Sequence, residues 1–362
     1  NALVLVHNVE IMNNWIKDLS SFLTINEELP TYTTPKGRVK KRSSLIGTFS
    51  SQKDSTTGII DIAMITSLGR EDNINELVRN YGMVIVDECH HAAAVTHENV
   101  LRAVTARYVY GMSATINRGD KQDKKMFMQL GPIRHRYTAK ERAQKQGIGH
   151  YIYPRFTRLV DLNQSEDKNP SDYYRLIMQS ELRNMQIVSD VIDCVKRGRT
   201  PVVMTKYKEH AQKLYDMLQG VADHVFLLQG GKSLKERAAI REQMAAVRAD
   251  ESLVLVAIGQ YVGEGFNYPR LDTMLLAMPI SFEGNVEQHA GRLNRDYEGK
   301  KDAIIFDYID QHVPTLKRMY YKRLRAYKKI GYEVCSKVTD KQEVANSIFD
   351  SQNYFDVFEK DV

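Results

Sequence analysis

The stretch Met83-Val84-Ile85-Val86-Asp87-Glu88-Cys89-His90-His91 decides the fold class, because it joins an apolar run to a charged end. An uninterrupted apolar run of this length is typical of a strand in a parallel sheet that is covered on both faces. Open sheets of this kind bind ligands beyond the carboxyl ends of their strands. The pattern therefore predicts that Asp87 and Glu88 lie at a ligand site.

Two adjacent carboxylates in this position suit phosphoryl transfer from a nucleotide. One carboxylate is needed to hold Mg²⁺, usually through water, and a second one is needed to orient the attacking water. We assign the first role to Asp87 and the second to Glu88. A strand that merely ends in a solvated acidic pair would look the same, so this motif alone leaves both interpretations open.

Apolar runs alternate with helical stretches on both sides of this motif, which predicts parallel sheets with helices on both faces. The expected fold class is α/β, with a first domain at residues 1–165, a second domain at 166–310 and a basic helical extension at 311–362. The polar segment at 163–172 is the expected linker. The runs are Ala2–Val6, Ile59–Ile65, Met83–Val86 and Arg107–Met112 in the first half, and Pro201–Met204, Val225–Leu228, Leu253–Ile258, Thr273–Met278 and Ala303–Tyr308 in the second.

Two further motifs are weak when each is taken alone. Ser113-Ala114-Thr115 follows an apolar run, and its hydroxyl groups could bond the acidic pair or form an ordinary turn. The glycine-rich loop with Gly263, Gly265 and Asn267 follows another such run. Glycine lets the backbone approach a ligand closely, but a plain turn also uses it.

The segment Gln288-His289-Ala290-Gly291-Arg292-Leu293-Asn294-Arg295 is predicted to be helical. On a helix, Gln288, Arg292 and Arg295 share one face because they are spaced by four and three residues. Two guanidinium groups on one face suit a γ-phosphate, whose oxygens share the charge during transfer. A solvated arginine face has the same spacing, so the segment alone does not identify a site.

Taken in order, these motifs resemble the motif series of superfamily 2 helicases. The resemblance covers residues 3–310 and is strongest to bacterial DExH proteins related to repair helicases and to the motor subunits of restriction enzymes. It implies two RecA-like parallel-sheet domains that use ATP and Mg²⁺. The stretches similar to motifs Ia, II, III, IV, V and VI are LVLVHN at 3–8, VDECHH at 86–91, SAT at 113–115, VVMTK at 202–206, VGEGFN at 262–267 and QHAGRLNR at 288–295.

The resemblance implies a role for each matching residue. Asp87 would coordinate Mg²⁺ through water, Glu88 would activate water and His90 would link the nucleotide site to the interface between the domains. The SAT stretch would couple hydrolysis to motion through Ser113 and Thr115 on either side of Ala114. The implied nucleotide contacts are Gly263, Gly265, Asn267, Gln288, Arg292 and the arginine finger Arg295. Asn267 departs from the family, whose members often carry Asp there.

One element of the family is absent from the sequence. No Gly-x-x-x-x-Gly-Lys-Ser/Thr loop occurs in the 362 residues. We expect that the chain begins after this loop and that the first sheet lacks the strand that precedes it. We also expect that the intact protein hydrolyses ATP and that this chain alone does not, because it lacks the backbone N–H groups and the lysine that bind the β- and γ-phosphates.

The segment 314–332 contains seven Lys or Arg and no Asp or Glu, and its apolar residues recur at helical spacing. It predicts an amphipathic helix whose basic side either contacts a phosphate backbone or is simply solvated. The candidate nucleic-acid contacts are Lys317, Arg318, Lys322 and Arg325 here, together with Lys206 and Gly230 from the resemblance. Backbone contacts carry no sequence specificity.

Composition narrows the class of protein. The net charge of +6 fits an anionic partner. The three cysteines stand far apart, which indicates neither a disulfide framework nor a zinc site and favours the cytoplasm. No apolar run is long enough to span a membrane.

The function expected from the sequence is an ATP-driven DNA helicase or translocase. DNA is favoured over RNA, and a nuclease or restriction domain or subunit is an expected partner. An RNA helicase and a non-hydrolysing nucleic-acid-binding or regulatory fragment are the alternatives.

Overall fold

The computed structural model describes residues 1–34, 36–70, 73–93, 95–113, 123–137, 141, 145, 147–161, 170–230, 234–262, 266–280 and 283–335. The chain forms two compact units, Asn1–Arg136 and Tyr137–Val362. No helix in these ranges combines the length and the hydropathy needed to cross a membrane.

The first unit is built on a six-stranded sheet with the order β10-β9-β1-β6-β4-β5. Neighbouring strands of this sheet pair in parallel, except that β4 and β5 pair in an antiparallel manner. The strands are β1 (Ala2–Val6), β4 (Ile46–Ser50), β5 (Lys53–Asp54), β6 (Ile60–Met64), β9 (Met83–Val86) and β10 (Tyr108–Gly111). Two small antiparallel pairs are β2 (Thr31–Thr33) with β3 (Val39–Lys41) and β7 (Gly69–Arg70) with β8 (Asn73–Ile74). The helices are α1 (Val9–Phe22), α2 (Ile65–Leu68), α3 (Val95–Ala103) and α4 (Asp123–Leu130), with 3₁₀ turns at Glu76–Arg79 and Cys89–Ala93.

Strand β1 forms the centre of the first unit. Residues 3–6 are at most 1% exposed, as expected for an apolar strand covered on both faces. The Asn8 side chain then accepts a hydrogen bond from the Ile11 N–H at 2.8 Å and caps α1. The helix buries Ile11 and Met12 against β1 and β6, so it lies directly on the sheet.

The second unit is built on a seven-stranded sheet with the order β13-β14-β12-β15-β16-β11-β17, in which all neighbours pair in parallel. The strands are β11 (Gly149–Phe156), β12 (Pro201–Thr205), β13 (His224–Leu228), β14 (Leu253–Ile258), β15 (Thr273–Leu276), β16 (Asp302–Ile309) and β17 (Glu333–Val334). The helices are α5 (Pro170–Gln179), α6 (Glu181–Lys196), α7 (Lys208–Met217), α8 (Leu234–Ala246), α9 (Gly259–Val262), α10 (Glu283–Leu293) and α11 (Pro314–Lys329).

The boundary between the units differs from the one expected from sequence. The expected boundary at residue 165 lies inside the second unit, which starts at Tyr137. The reason is β11, which pairs with β16 from Gly149 opposite Asp302 to Phe156 opposite Ile309. Residues 163–169 of the expected linker lie outside the described residues.

The carboxyl end of β16 is fixed by ion pairs that are almost fully buried. Asp307 accepts two hydrogen bonds of 2.8 Å from the Arg323 guanidinium of α11. Tyr308 donates to Asp190 of α6 at 2.7 Å, and Asp310 accepts from Arg183 of the same helix at 2.9 Å. These contacts tie two helices to one strand end. Arg323 is therefore a structural residue, although the sequence groups it with the basic side of α11.

We predict that Arg323→Met destabilises the second unit by about 3–5 kcal/mol, because it leaves the Asp307 carboxylate buried without its partner. Chemical denaturation followed by circular dichroism measures the loss. Arg325→Met on the exposed side of the same helix is the matched control, and we expect a change below about 0.5 kcal/mol. Equal losses in the two variants would show that the buried pair contributes no more than the exposed arginine.

Candidate functional site

The parallel pairing of three strands brings the first group of predicted site residues together. Leu5 of β1 lies opposite Val86 of β9, and the Asp87 N–H donates to the Leu5 carbonyl at 3.0 Å. On the other side of β9, the Met112 N–H donates to the Val86 carbonyl at 2.9 Å. The carboxyl ends of β1, β9 and β10 therefore meet at one edge of the sheet, where ligands of such sheets bind.

Asp87 is held by one N–H donor on each carboxylate oxygen. The Trp15 indole Nε1 donates to Oδ2 at 2.8 Å, and the Glu88 backbone N–H donates to Oδ1 at 2.9 Å. Each oxygen keeps a further acceptor position, because a carboxylate offers about four lone-pair sites. The side chain is thus oriented and can still accept from water or bind a cation.

Glu88 has the one positive φ, 47°, among the described non-glycine residues. Such a conformation costs on the order of 1–3 kcal/mol and is found preferentially at functional sites. It redirects the chain immediately after β9. The Glu88 side chain then reaches His90, with Oε2 3.2 Å from Nδ1, and both side chains are mostly buried.

His90 connects the acidic pair to the end of β10. Its Nδ1 also lies 2.9 Å from the Ser113 hydroxyl, so that Glu88, His90 and Ser113 form a continuous polar contact. The hydrogen bond between the Cys89 N–H and the Met112 carbonyl, at 2.9 Å, holds the two backbones together at this point. The structure therefore joins the predicted residue Ser113 to the acidic pair, while Ala114 and Thr115 lie outside the described residues.

A group of histidine rings packs beside this site. The centroid of the His91 ring lies 4.2 Å from that of His90, 4.6 Å from that of His7 and 6.4 Å from that of His97. Burial and the neighbouring histidines lower the pKa of His97 to about 4, so this ring is neutral at neutral pH.

The site suits Mg²⁺ bound through water. In the described part of the chain, no group of three or more His, Cys, Asp or Glu side chains is arranged to hold a metal ion. Mg²⁺ does not require such a group, since it keeps several waters and commonly uses one or two carboxylates together with substrate phosphates. An oriented Asp87 carboxylate at a strand end fits this type of binding.

The second group of predicted residues is only partly brought together. Helix α10 ends at Leu293, so Arg295 lies beyond it and the prediction of one helical face with Gln288, Arg292 and Arg295 is wrong. The helix ends where buried Asn294 accepts a hydrogen bond from the Tyr332 hydroxyl at 2.8 Å. The Lys300 ammonium also binds the Arg295 carbonyl at 3.2 Å.

Arg292 remains on α10 and donates to the Phe266 carbonyl at 3.3 Å. This contact joins the helix to the end of the glycine-rich loop, where Asn267 is exposed. Gly263, Gly265 and the Gln288 side chain lie outside the described residues.

Candidate nucleic-acid contacts gather at the carboxyl edge of the second sheet. Lys206 directly follows β12, Gly230 follows β13, and α11 begins after β16. The exposed Lys206 ammonium lies 4.5 Å from the centroid of the Tyr174 ring, an attractive arrangement for a cation.

Helix α11 is amphipathic as predicted. Leu316, Tyr320 and Tyr327 are buried against the second unit. Arg318, Lys322 and Arg325 are exposed and Lys317 is partly exposed, so the four predicted contact residues lie on the outer side. Exposed Lys329 extends this outer side. Arg318, Lys322, Arg325 and Lys329 follow one another at spacings of four, three and four residues, so they lie along one side of the helix.

Trp15 and Tyr174 contact predicted site residues, but the sequence does not predict a role at the site for either of them. Both belong to helices whose apolar spacing indicates core packing, and their site contacts depend on long-range folding. The signal that singles out Trp15 is that it is the only tryptophan in the chain.

Similarity to known proteins extends over this site. Residues 1–118 match the family described as the res subunit of type III restriction enzymes. A probable helicase of Escherichia phage T5 is 26% identical over 280 residues, which cover 74% of this chain and 57% of that protein. The ATP-dependent DNA helicase UvsW of Enterobacteria phage T4 is 20% identical over 239 residues, which cover 65% of this chain and 47% of that protein. These matches support a superfamily 2 helicase.

The chain thus spans about half the length of these two helicase relatives. Its fold is similar to that of Saccharomyces cerevisiae Dbp5 bound to RNA and ADP BeF3, with a TM-score of 0.56 and 13% identity, over 92% of this chain and 77% of that chain. This likeness bears on the fold alone. It confirms the predicted α/β class with RecA-like parallel sheets.

Proposed function

We propose that this chain is the motor part of an ATP-dependent DNA helicase or translocase, in which ATP hydrolysis is coupled to movement on nucleic acid. The observation that carries the proposal is the acidic pair at the carboxyl end of β9, with Asp87 oriented and Glu88 joined through His90 to Ser113. The match of residues 1–118 to a restriction-enzyme family supports it.

The two carboxylates take different roles in this proposal. Asp87 holds Mg²⁺ through water, and bound Mg²⁺ supplies charge neutralisation for the phosphates. Glu88 accepts a hydrogen bond from the attacking water and orients it. His90 touches both Glu88 and Ser113, so a change in the position of Glu88 reaches the end of β10.

The second unit carries further residues that the resemblance to superfamily 2 helicases assigns to nucleotide contact. We assign γ-phosphate contacts to Arg292, Arg295 and Gln288, since guanidinium groups bind phosphate oxygens in a planar, bidentate manner. Gly263, Gly265 and Asn267 are assigned to nucleotide contact on the resemblance of their loop to motif V. The Arg292 contact with the Phe266 carbonyl supports a link between this helix and that loop.

Hydrolysis also requires backbone N–H groups and a lysine that cradle the β- and γ-phosphates. The 362 residues contain no Gly-x-x-x-x-Gly-Lys-Ser/Thr loop. We therefore propose ATP hydrolysis for the whole protein and expect no meaningful turnover by this chain alone. A nuclease or restriction domain or subunit is the partner that the family match favours.

The decisive experiment measures ATP hydrolysis by the whole protein with single-stranded DNA, duplex DNA and RNA. We expect stimulation by DNA, and we expect Glu88→Gln to lower the rate about a hundredfold or more, because the attacking water loses its base. Glu76→Gln, an exposed glutamate of the first unit, is the matched control and should hydrolyse ATP like the unchanged protein.

Each other result selects a different function. If only RNA stimulates ATP hydrolysis, the protein is an RNA helicase and not a DNA helicase. Absence of turnover with every nucleic acid would leave a nucleic-acid-binding or regulatory protein. An unchanged rate in Glu88→Gln would overturn the assigned role of the acidic pair.

We propose that the outer side of α11 and the neighbouring carboxyl edge of the second sheet contact the nucleic-acid backbone. Arg318, Lys322 and Arg325 present three exposed cations on one helix, and Lys206 presents another at the sheet edge. Contacts of this kind release counterions, so their number can be read from the salt dependence of binding.

We predict that changing Arg318, Lys322 and Arg325 together to Gln weakens binding of single-stranded DNA to this chain. The slope of log K against log salt should flatten by roughly 0.7 for each lost contact. Fluorescence anisotropy between about 50 and 200 mM salt covers the range in which such contacts change affinity strongly.

The matched control changes Lys196, Arg248 and Lys301 to Gln. These exposed residues precede β12, β14 and β16, so they lie towards the opposite edge of the parallel sheet. The control removes the same charge and should keep the original slope. Equal flattening in both variants would mean that net charge, and not the α11 surface, determines binding.

A further inference from the structure

Trp15 makes a contact that links the first helix to the acidic pair. Its indole Nε1 donates to Asp87 Oδ2 at 2.8 Å, across 72 residues of sequence. The contact follows from the fold: α1 begins directly after β1, and β1 pairs in parallel with β9. The Trp15 ring packs, partly buried, against the apolar cluster formed by β1, β6 and α1, so its position does not depend on Asp87 alone.

The indole N–H is a suitable group for orienting a metal-binding carboxylate. Tryptophan donates one hydrogen bond, accepts none and carries no charge. A lysine or arginine in this position would orient Asp87 too, but its positive charge would compete with a metal ion. The indole keeps the full negative charge of Asp87 available to a metal ion.

The second donor to Asp87 is the Glu88 backbone N–H, at 2.9 Å from Oδ1. This donor is local and belongs to the strained turn after β9. The Trp15 donor is therefore the one that fixes the carboxylate relative to β1 and α1. Without it, Asp87 would keep one hydrogen bond and could rotate about its side-chain bonds.

We propose that Trp15 is a positioning residue for Asp87, and that its N–H holds this carboxylate in the orientation that binds Mg²⁺. The inference rests on the proposed function for the identity of the metal. It does not require Trp15 to touch the nucleotide.

The first test observes the contact directly. Trp15 is the only tryptophan, so a ¹⁵N-labelled chain gives one indole N–H signal. We expect Asp87→Asn to move this signal and to speed its exchange with solvent. Titration with Mg²⁺ should shift the signal in the unchanged chain but not in Asp87→Asn, because Mg²⁺ commonly binds through one or two carboxylates. If neither Asp87→Asn nor Mg²⁺ changes the indole signal, the proposal is wrong.

The second test measures the Mg²⁺ dependence of ATP hydrolysis in the whole protein. Trp15→Phe retains an aromatic ring and loses the N–H, so we expect the half-saturating Mg²⁺ concentration to rise about tenfold with little change in KM for ATP. Leu19→Ala removes apolar packing from the same helix without touching Asp87 and should leave the Mg²⁺ dependence unchanged. An equal shift in Leu19→Ala would show that helix packing, and not the N–H, determines the effect.

Failure of this inference is distinct from failure of the proposed function. If Glu88→Gln abolishes hydrolysis and Trp15→Phe leaves the Mg²⁺ dependence unchanged, the motor assignment stands and the role of Trp15 is wrong. If the indole signal responds to Asp87→Asn and Mg²⁺ while no nucleic acid stimulates hydrolysis, the positioning contact stands without the motor.

Discussion

The parallel register of β1, β9 and β10 is the constraint on which the candidate site depends. It aligns Leu5 with Val86 and Val86 with Gly111, so the three strands end at the same level. Asp87, Glu88, His90 and Ser113 follow the ends of β9 and β10, and Trp15 lies on the helix that follows β1. A slip of one residue in such a strand would exchange its two faces and remove the site.

This register also explains how the strained residue is tolerated. Glu88 adopts its positive φ between two backbone hydrogen bonds, from Asp87 to β1 and from Cys89 to the end of β10. Buried Cys89 packs within 3.8 Å of Met126, which anchors the turn from the other side. A strained conformation persists only where its surroundings fix it. In the second unit, buried ion pairs and a tyrosine hydrogen bond hold the end of β16 against two helices.

Much of the fold can be predicted from sequence because its strands are apolar throughout. Ala2–Val6, Met83–Val86 and Leu253–Ile258 are strands with the predicted bounds. The pairing of β11 with β16 is not predictable in this way, because these strands are far apart in sequence and local patterns do not specify long-range partners. Arg295 lies beyond the end of α10, and its position is not predictable because helical spacing does not show where a helix ends.

The same limit applies to the site. Asp87 and Glu88 could be found because strand-end carboxylates have a local pattern, and the structure joins Glu88 to His90 and Ser113. The role of Trp15 could not be predicted, since its partner Asp87 lies 72 residues away and its neighbours on α1 indicate only an apolar face. Arg323 has the charge of a phosphate contact, but its burial against Asp307 depends on tertiary packing.

The proposed motor requires that Mg²⁺ and nucleotide bind at the meeting point of β1, β9 and β10. Metal-directed cleavage tests it most directly: Fe²⁺ replaces Mg²⁺ in the whole protein with an ATP analogue, and ascorbate with peroxide then cuts the backbone close to the metal. We predict cuts near residues 87–90 and beside Trp15 in α1, and their loss in Asp87→Asn. Cuts confined to other parts of the chain, or unchanged in Asp87→Asn, would contradict it.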